Sequence, residues 1–380
     1  MAQRVLFLGG GVAGVMTANR LARQMRREME RGEVEIVVLS ESETHFYQPS
    51  LLYVAFGETV PESYQRPLRQ VVVPGIHVVV DAAVRVLPDE RVVECRSGNR
   101  WAYDFLVIAT GSHPDLDAIP GLRQGSHTFY LPAEARRLRQ ALDAFEGGRV
   151  VLNVNVPHKC PVAPLEFVFM LDARLRRSGR REATEIVYTY PIGRLHALAP
   201  VAEWAAGAFA ERGIVGETLF NAEEVDPEGR KIRSLEGEEI DYDLLVVVPP
   251  HRGARVLRDS GLGDKDGWLP TDRQTLKMKG QERIYVLGDA TDLPISKAGS
   301  TAHYESEVVA RNLAHELRGE APSSLYDGKV FCFVETGGDE ATYVSFDYAN
   351  PPRPVDPVTT IHWFKLAFNE MYWLSLRGWV

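Results

Sequence analysis

The sequence predicts an α/β protein. Three apolar runs of strand length, at residues 4–8, 105–109 and 283–287, each lead into a turn that contains glycine. The first run is followed by alanine and leucine at helical spacing through Leu21, which predicts a strand, a turn and a helix. A further apolar run at residues 148–156 begins another strand. Buried strands that alternate with helices are the pattern of an open α/β sheet.

The first turn has the spacing of a dinucleotide-binding loop. Gly9, Gly11 and Gly14 match Gly-x-Gly-x-x-Gly. In this pattern the first glycine allows the turn, the second lets the backbone approach a pyrophosphate, and the third lets the helix pack on the strand. The free N–H groups at the helix start then face the pyrophosphate charge. Glycine-rich turns also serve tight packing alone, so the motif needs support from elsewhere in the chain.

The end of the second strand supplies an acid. The apolar run at residues 34–39 is followed by Ser40 and Glu41. A carboxylate at this position can bind the ribose hydroxyls of an adenine dinucleotide, and it would repel a 2′-phosphate. We therefore predict that Glu41 binds ribose. The alternative is a solvated glutamate at a strand end.

Two later strand ends agree with this interpretation. Ala109, Thr110 and Gly111 end one buried run, and Gly288 and Asp289 end another. Glycine permits a close backbone approach, and the aspartate can hold a ribityl hydroxyl. Together with the first loop, these segments resemble the flavoprotein disulfide reductase superfamily up to about residue 320. The resemblance implies that the segments bind FAD.

The resemblance also implies the domain organisation. It comprises two Rossmann-like dinucleotide-binding folds in tandem, followed by a C-terminal β-hairpin and an amphipathic helix. The FAD-binding domain would have two parts, residues 1–112 and 253–320, with a second Rossmann-like domain at 113–252 and a C-terminal region at 321–380. Turn signals between valine-rich runs at residues 71–103 predict an antiparallel meander.

The second fold lacks the loop that would bind a pyridine nucleotide. In the superfamily this domain binds NAD(P)H, but residues 157–166 contain prolines and no glycine. Prolines cannot cradle a pyrophosphate as glycines do. The next strand, at residues 185–190, ends at Pro191 and supplies no acid for a ribose. We therefore predict that NAD(P) is not bound and that electrons reach FAD from another donor.

A cysteine stands where the glycines are missing. Cys160 lies beyond the carboxyl end of a strand, where ligands bind in open α/β sheets. A helix runs from Glu166 through Arg177 just after it. A thiol near a helix N-terminus and the cations Lys159 and His158 is expected to form a stabilised thiolate. The alternative is a small buried hydrophobic residue.

Cys332 favours the first interpretation. It lies in a hairpin of alternating pattern at residues 329–346, around Gly337 and Gly338. The two cysteines and their surroundings resemble the sulfide:quinone oxidoreductases and the related flavoprotein subunit of flavocytochrome c sulfide dehydrogenase. The resemblance implies that Cys160 and Cys332 form a redox-active pair beside the flavin. Sulfide, or a related persulfide or thiol, would be oxidised there, and electrons would pass to a quinone.

Two segments carry this second resemblance, and two absences limit it. Residues 160–166 are similar to the flavocytochrome version and residues 45–49 to the quinone-reducing version. Residues 125–135 lack the third cysteine of many quinone-reducing members, and the loop after Glu41 lacks the cysteine that tethers FAD in flavocytochromes. We therefore predict non-covalent FAD and a two-cysteine mechanism. Cys95 is expected to be a bystander.

Three further residues are candidates for the chemistry. Glu166 is the candidate base that takes a proton from sulfide or thiol; the alternative is a helix-stabilising acid in the first turn. His196 is a candidate proton carrier, although a lone histidine is more often structural. Lys297 would place positive charge near the reduced flavin or contact the acceptor. The alternative is a solvated lysine.

A predicted amphipathic helix ends the chain, within residues 360–380. One face carries apolar side chains: Trp363, Phe364, Ala367, Phe368, Met371 and Leu374. The opposite face carries His362, Lys365 and Asn369. Tryptophans with mixed charge suit a helix that lies in a membrane interface. The alternative is a helix that forms a dimer or caps the core.

A lipid-soluble quinone would be reached from this interface. Phe333, Tyr343 and Phe346 of the hairpin are the residues we expect to flank the quinone ring.

Composition limits the partners. The formal charge of −9 argues against nucleic acid, which requires basic stripes. The sequence contains no apolar run of about 18 residues, so it predicts no membrane span. A strand begins within a few residues of Met1, which leaves no room for a signal peptide. We therefore expect a cytoplasmic protein, peripheral on the inner face of the cell membrane. The cysteine spacing predicts no metal site, and a homo-oligomer is left open.

Three other functions stay open on the sequence. A cytochrome could accept the electrons in place of a quinone. A type II NADH:quinone oxidoreductase shares the fold and the membrane helix, but it requires the missing glycines. A non-catalytic flavin-binding sensor would use the cysteines for redox sensing alone.

Overall fold

The computed structural model describes residues 2–379. In chain order the strands are β1 (Gln3–Leu8), β2 (Val34–Ser40), β3 (Thr44–Phe46), β4 (Gln65–Pro67), β5 (His77–Val80), β6 (Ala83–Leu87), β7 (Val92–Cys95), β8 (Arg100–Ala102), β9 (Phe105–Ile108), β10 (Ser112–Pro114), β11 (Gly148–Val154), β12 (Thr184–Tyr190), β13 (Ile214–Thr218), β14 (Ala222–Asp226), β15 (Lys231–Ser234), β16 (Glu239–Asp241), β17 (Leu244–Val248), β18 (His251–Gly253), β19 (Ile284–Val286), β20 (Val330–Gly337) and β21 (Glu340–Phe346). The helices are α1 (Val12–Gln24), α2 (Arg26–Glu30), α3 (Ser50–Phe56), α4 (Leu68–Val71), α5 (Leu122–Gly125), α6 (Pro132–Ala144), α7 (Ala163–Arg177), α8 (Ala199–Arg212), α9 (Arg255–Asp259), α10 (Gly299–Leu317) and α11 (Thr359–Leu376).

The first sheet has the strand order β19-β9-β1-β2-β5, and every neighbouring pair is parallel. Strands β9 and β19 are buried throughout, as expected for parallel strands that are covered on both faces. Because the carboxyl ends of parallel strands meet at the same edge, this sheet brings Gly9, Glu41, Ala109 and Gly288 to one edge. The four segments that the sequence assigned to one cofactor therefore belong to one sheet.

The second sheet has the order β13-β12-β11-β17 and is also parallel. Helix α7 follows β11, and its apolar residues from Leu165 to Leu171 are buried in a core that also includes α3, α6 and part of the hairpin. Both cysteines of interest pack against this core. The predicted α/β class is confirmed.

The predicted meander at residues 71–103 is only partly present. Strands β6, β7 and β8 form an antiparallel sheet. Strand β5, however, pairs in parallel with β2 and becomes the edge of the first sheet. The short helix α4 precedes β5, so the chain returns in the parallel direction, a connection that valine content alone does not reveal.

The C-terminal region consists of the hairpin β20–β21 and helix α11. The hairpin pairs Cys332 with Val344 and Phe333 with Tyr343. Helix α11 packs on this hairpin and on α1. Within residues 2–379, no helix has the length and apolar character needed to cross a membrane.

Helix α11 has its polar face inside and its apolar face outside. Five apolar side chains are between 43% and 63% exposed: Trp363, Phe364, Phe368, Met371 and Leu374. Lys365 and Asn369, on the opposite face, are buried and hydrogen-bonded to the body of the protein. The amphipathic pattern was predicted, but its polar side turns away from solvent because buried partners satisfy it.

A buried carboxyl of α10 supports the Gly288 turn. Glu305 is fully buried, and its Oε2 accepts the Gly288 N–H at 2.5 Å. Its Oε1 has no partner among the described residues. Burial raises the pKa of Glu305 from 4.5 to about 8, which the Gly288 N–H and Lys297 only partly oppose.

We therefore expect stability to fall as pH rises from 5 to 8, because the folded state binds a proton at Glu305 that the unfolded state releases. The linkage is about 1.4 kcal/mol per pH unit in the middle of this range and weaker near pH 5 and pH 8, where one of the two states is itself titrating, so it totals about 3.5 kcal/mol. The Glu305→Gln variant should lose this part of the pH dependence in denaturant unfolding. The same change at exposed Glu282 is the control. An unchanged pH dependence in Glu305→Gln would contradict the assignment.

Candidate active site

The glycine loop after β1 leaves open space beside Gly11, which we call the cofactor cleft. Gly9 has a φ of +122°, and a Cβ there would lie 2.3 Å from the Ala109 carbonyl oxygen. A Cβ on Gly14 would lie 2.1 Å from the Gly9 oxygen, so both glycines are required by close packing. A Cβ on Gly11 would meet nothing within 4 Å. Gly11 therefore faces open space, as expected for the position that a pyrophosphate approaches.

Other groups around this cleft fit an adenine dinucleotide with a polyol chain. Gly111 also faces open space, and the buried hydroxyl of Thr110 has no partner among residues 2–379. Asp289 accepts a hydrogen bond from Ser112 at 2.9 Å and has a second oxygen for a ligand hydroxyl. Glu41 is exposed directly after β2. A buried hydroxyl without a partner is the kind of group that a bound cofactor satisfies, so these residues would hold FAD.

Lys297 lies beside this cleft, but its ammonium group is already used. It donates to the carbonyl oxygens of Asp289 at 3.1 Å and Thr291 at 2.6 Å, and it lies 4.3 Å from the Trp268 ring centre. Burial lowers its pKa. Lys297 is thus not the solvated lysine of the alternative interpretation. Its carbonyl oxygen also accepts the N–H of Cys160 at 2.7 Å.

The two cysteines meet at the start of α10. Cys160 lies between β11 and α7 with a φ of +52°, a left-handed conformation that is strained for a residue with a side chain. Cys332 is on β20, and its sulfur lies 3.6 Å from the Ser300 hydroxyl of α10. Both are free thiols in the structure and both are partly buried. The thiols are close enough for charge on Cys332 to raise the pKa of Cys160.

The predicted stabilised thiolate at Cys160 is wrong for the reduced pair. Burial raises the pKa of Cys160 well above its usual value, and Cys332 and Glu166 add to this shift. Burial also raises the pKa of Cys332 to about 11. The expected cations do not compensate. The pKa of His158 is lowered to about 4 by burial, and Lys159 donates to the Ser112 carbonyl.

Glu166, in the first turn of α7, lies close enough to the thiols to raise their pKa, and it is paired with a lysine of α11. Its side chain is buried, and its Oε1 accepts hydrogen bonds from the ammonium of Lys365 and, at 2.9 Å, from the Glu335 N–H. Burial raises the pKa of Glu166, which Lys365 opposes. For Lys365, burial favours the neutral amine, but Glu166, Tyr53 and Glu335 outweigh it and raise its pKa.

Glu335 extends this cluster toward the surface. Its Oε1 accepts a hydrogen bond from the Tyr53 hydroxyl at 3.0 Å and lies 3.9 Å from the Lys365 Nζ. Its Oε2 lies 3.0 Å from the Nδ1 of His362, which is also on α11. The side chain of Glu335 is 5% exposed and that of His362 is 14% exposed. We call Glu166, Lys365, Glu335 and His362 the acid–base cluster.

The structure does not bring His196 into the acid–base cluster. His196 is fully buried, its Nδ1 accepts the Leu198 N–H at 3.1 Å, and its Nε2 has no partner among the described residues. Burial lowers its pKa to about 4, and the nearby His158 lowers it further. Its surroundings therefore favour the structural interpretation.

The hairpin places the three predicted quinone residues on two faces. Phe333 pairs with Tyr343, so the two share one face, and the Phe333 ring lies 5.9 Å from that of Phe368 on α11. Phe346 pairs with Val330, on the face that also carries Cys332. Alternation along a strand therefore separates Phe346 from the other two. The three residues therefore do not share one face of the hairpin as expected, and the residue that stacks on Tyr343 is Phe331, at 5.2 Å between ring centres.

Sequence reasoning missed four residues of the site: Lys365, Glu335, His362 and Ser300. The only signal in the sequence was the presence of Lys365 and His362 on the polar side of an otherwise apolar helix. Such residues usually face water. Their buried partners come from β20 and α7, and no spacing in the sequence connects these segments.

Comparisons with known proteins agree with this architecture. Residues 3–152 match the family model described as "Pyridine nucleotide-disulphide oxidoreductase". The chain is 28% identical to the mitochondrial sulfide:quinone oxidoreductase of Mus musculus, over 98% of this chain and 86% of that protein. It is 20% identical to a type II NADH:quinone oxidoreductase of Staphylococcus haemolyticus, over 85% of each protein.

A solved structure shows the same fold. The sulfide:quinone oxidoreductase of Aquifex aeolicus aligns with a TM-score of 0.87 at 23% identity, over 99% of this chain and 92% of that one. The predicted resemblance to this group of proteins is confirmed, and so is the predicted class of enzyme, an oxidoreductase.

The open space at Gly11 gives a test of the cofactor cleft. Gly11→Ala adds a methyl group that meets no protein atom, at a φ of −78° that any residue adopts. Fold stability without cofactor should therefore stay the same. Overpacking against a bound pyrophosphate costs about 1–3 kcal/mol, so FAD should bind about ten- to a hundredfold more weakly. Gly207→Ala in α8, which also has open space, is the control for fluorescence titrations with FAD. Equal FAD affinity in both variants would contradict the assignment.

Proposed function

We propose that this chain, which resembles the sulfide:quinone oxidoreductases over 98% of its length, oxidises sulfide at Cys160 and Cys332 and passes the electrons through FAD to a quinone. The observation that carries the proposal is the convergence of the two thiols. They come from distant segments, and both contact the residues around the start of α10, beside the FAD cleft. A related persulfide or thiol is the alternative donor.

The sulfur chemistry follows from thiol–disulfide exchange. In the oxidised enzyme Cys160 and Cys332 would share a disulfide bond. A hydrosulfide ion attacks one sulfur, breaks the S–S bond, and leaves a persulfide on one cysteine and a thiolate on the other. A second hydrosulfide ion then attacks the terminal sulfur and carries it away as zero-valent sulfur in the ion HSS⁻, which frees the cysteine and releases one proton. The two cysteines re-form the disulfide, in their deprotonated form, when two electrons leave for the acceptor.

Glu166 is the proposed base for this cycle. Burial raises the pKa of both thiols, so each holds its proton in the reduced pair and must lose it before the disulfide re-forms. The Glu166 carboxylate lies close enough to both thiols for its charge to raise the pKa of each of them. A positioned base is required because the thiolate, not the thiol, is the reacting form.

Non-covalent FAD is part of the proposal, and it would supply a two-electron acceptor that can reduce a quinone. The glycine cleft, Glu41 and Asp289 would hold it, and the loop after Glu41 carries no cysteine. The turn between β11 and α7 contains prolines and no glycine, which supports the absence of an NAD(P) site. The pairing of β19 with β9 supports an FAD domain that is assembled from two parts, residues 1–112 and 253–320. The regions at 113–252 and 321–380 complete the proposed division.

Helix α11 is the proposed contact with the membrane. Its exposed face holds two large aromatic residues, Trp363 and Phe364, that are 62% and 63% exposed. Phe368 joins this face to Phe333 of the hairpin, so a quinone entering from lipid would first meet Phe333 and Tyr343. A helix with a strongly apolar outer face and a tryptophan lies well at the level of lipid headgroups. The cytoplasmic location and the inner face of the membrane remain part of this proposal.

Replacing Cys160 with serine tests the sulfur chemistry. We expect Cys160→Ser to bind FAD normally but to lose both flavin bleaching by sulfide and sulfide-driven reduction of decylubiquinone. Cys95→Ser, far from the site in a buried position of β7, should keep both activities. Normal bleaching in Cys160→Ser would contradict the mechanism. Rapid bleaching of the wild type by stoichiometric NADH instead of sulfide would favour the type II NADH:quinone oxidoreductase.

Membrane contact is tested by removing the exposed aromatic pair. Burying one aromatic side chain fully in lipid would contribute about 1.5–3 kcal/mol to the binding free energy. The double variant Trp363→Gln/Phe364→Gln should therefore bind lipid vesicles at least about a hundredfold more weakly. Leu235→Gln/Leu325→Gln removes two side chains of similar exposure, 66% and 59%, from other surfaces and should bind normally. Vesicle flotation measures the bound fraction. If the wild type does not bind vesicles but forms dimers in sedimentation, and only the Trp363/Phe364 variant disrupts these dimers, α11 is a dimer helix instead.

A further inference from the structure

The acid–base cluster forms a continuous chain of titratable groups from the thiols to the edge of the protein. Glu166 lies close to the thiols, Lys365 lies between Glu166 and Glu335, and Glu335 contacts His362. The side chains of Glu166, Lys365 and Glu335 are 8%, 9% and 5% exposed, and that of His362 is the most exposed, at 14%. His362 is therefore the end nearest solvent.

The charges of the cluster require one mobile proton. Two carboxyl groups and one ammonium group are buried together, and an unpaired charge in such a place is costly. The cluster is neutral only when His362 is an imidazolium or when one carboxyl is protonated. Either arrangement uses the same four side chains and one proton. The Lys365 ammonium has three rotatable N–H donors and can therefore address both carboxyl groups.

We propose that the acid–base cluster is a proton relay that carries the proton released at the sulfur site to solvent at His362. The proposal rests on the proposed function. There, each hydrosulfide ion that becomes zero-valent sulfur loses two electrons to the acceptor and one proton, HS⁻ → S⁰ + H⁺ + 2 e⁻. Glu166 receives the proton. Lys365 then gives one of its own protons to Glu335 and regains one from Glu166. Finally, His362 takes the proton from Glu335 and passes it to water.

Side chains of α3, of the segment just after α3 and of α11 also line this route. Tyr53 of α3 donates to Glu335, and Glu58, just after α3, lies close enough for Glu335, His362 and Lys365 to act on its pKa. On α11, the Trp363 ring stacks edge-on against His362 at 5.5 Å. Glu58 is thus a further carboxyl group near the outer end, where a released proton would leave.

Proton release tests the relay directly. In weak buffer with a pH-indicator dye, wild-type enzyme with bound FAD oxidises sulfide with ferricyanide, which takes electrons without protons, so that one proton appears for each hydrosulfide ion oxidised. A blank without enzyme is subtracted, and flavin bleaching by sulfide alone is recorded in parallel. We expect His362→Ala to release its proton about tenfold more slowly. This is less than the ~10² to 10⁴ that a positioned proton donor can contribute, because water partly replaces the imidazole. Added imidazole should restore the rate. His315→Ala, at a histidine that is 38% exposed on α10, should behave like the wild type.

A second variant interrupts the route inside the protein. Glu335→Gln keeps an oxygen for the Tyr53 hydroxyl but cannot carry a proton. It should slow proton release as His362→Ala does, but imidazole should not restore the rate because the break lies behind His362. If Glu335→Gln does not fold, the imidazole response of His362→Ala decides alone.

The outcomes separate the relay from a purely structural role. Wild-type rates in His362→Ala, or a loss that imidazole does not restore, would overturn the relay, because a clamp that only fastens α11 gives no response to a proton carrier. Wild-type enzyme that sulfide does not bleach would overturn the proposed function as well. Normal bleaching with unchanged proton release in both variants would overturn the relay alone.

Discussion

The buried ion pair between Glu166 and Lys365 joins the last helix of the chain to the sulfur site. Removing one partner of a buried pair typically costs about 3–5 kcal/mol, because the other charge is left without compensation. Glu166 lies in the first turn of α7, directly after Cys160, and Lys365 projects from the buried face of α11. The position of α11 is therefore fixed from the inside by charge, and its apolar face is left for the outside.

A second constraint comes from the N-terminal end of α10. The Lys297 carbonyl binds the backbone of Cys160, the Ser300 hydroxyl contacts Cys332, and Glu305 holds the Gly288 turn of the first sheet. One short segment thus touches both cysteines and the cofactor cleft. This shared support explains how residues from two sheets and a hairpin can form one site.

The sequence allowed the fold and its glycine-containing turns to be predicted well, because their signals are local. Gly9, Gly11 and Gly14 carry a spacing that depends on a single turn, and the strand ends at Ala109 and Gly288 carry their own glycines. The acid–base cluster could not be predicted in the same way. Lys365 and Glu335 become partners only after α11 packs on the hairpin. The pKa values of the thiols depend mainly on burial, which cannot be read from a charged sequence neighbour such as Lys159. The separation of Phe346 from Phe333 likewise needed the register of the hairpin.

That register also separates two kinds of surroundings. Cys332 and Phe333 are consecutive in the chain, yet alternation along β20 turns one toward Ser300 and the other toward helix α11. Strand β20 thus has the reactive thiol of Cys332 on one face and aromatic side chains that pack on α11 on the other. An insertion or deletion of one residue in this strand would exchange the side chains of the two faces. The hairpin should therefore tolerate changes of side chain far better than changes of length.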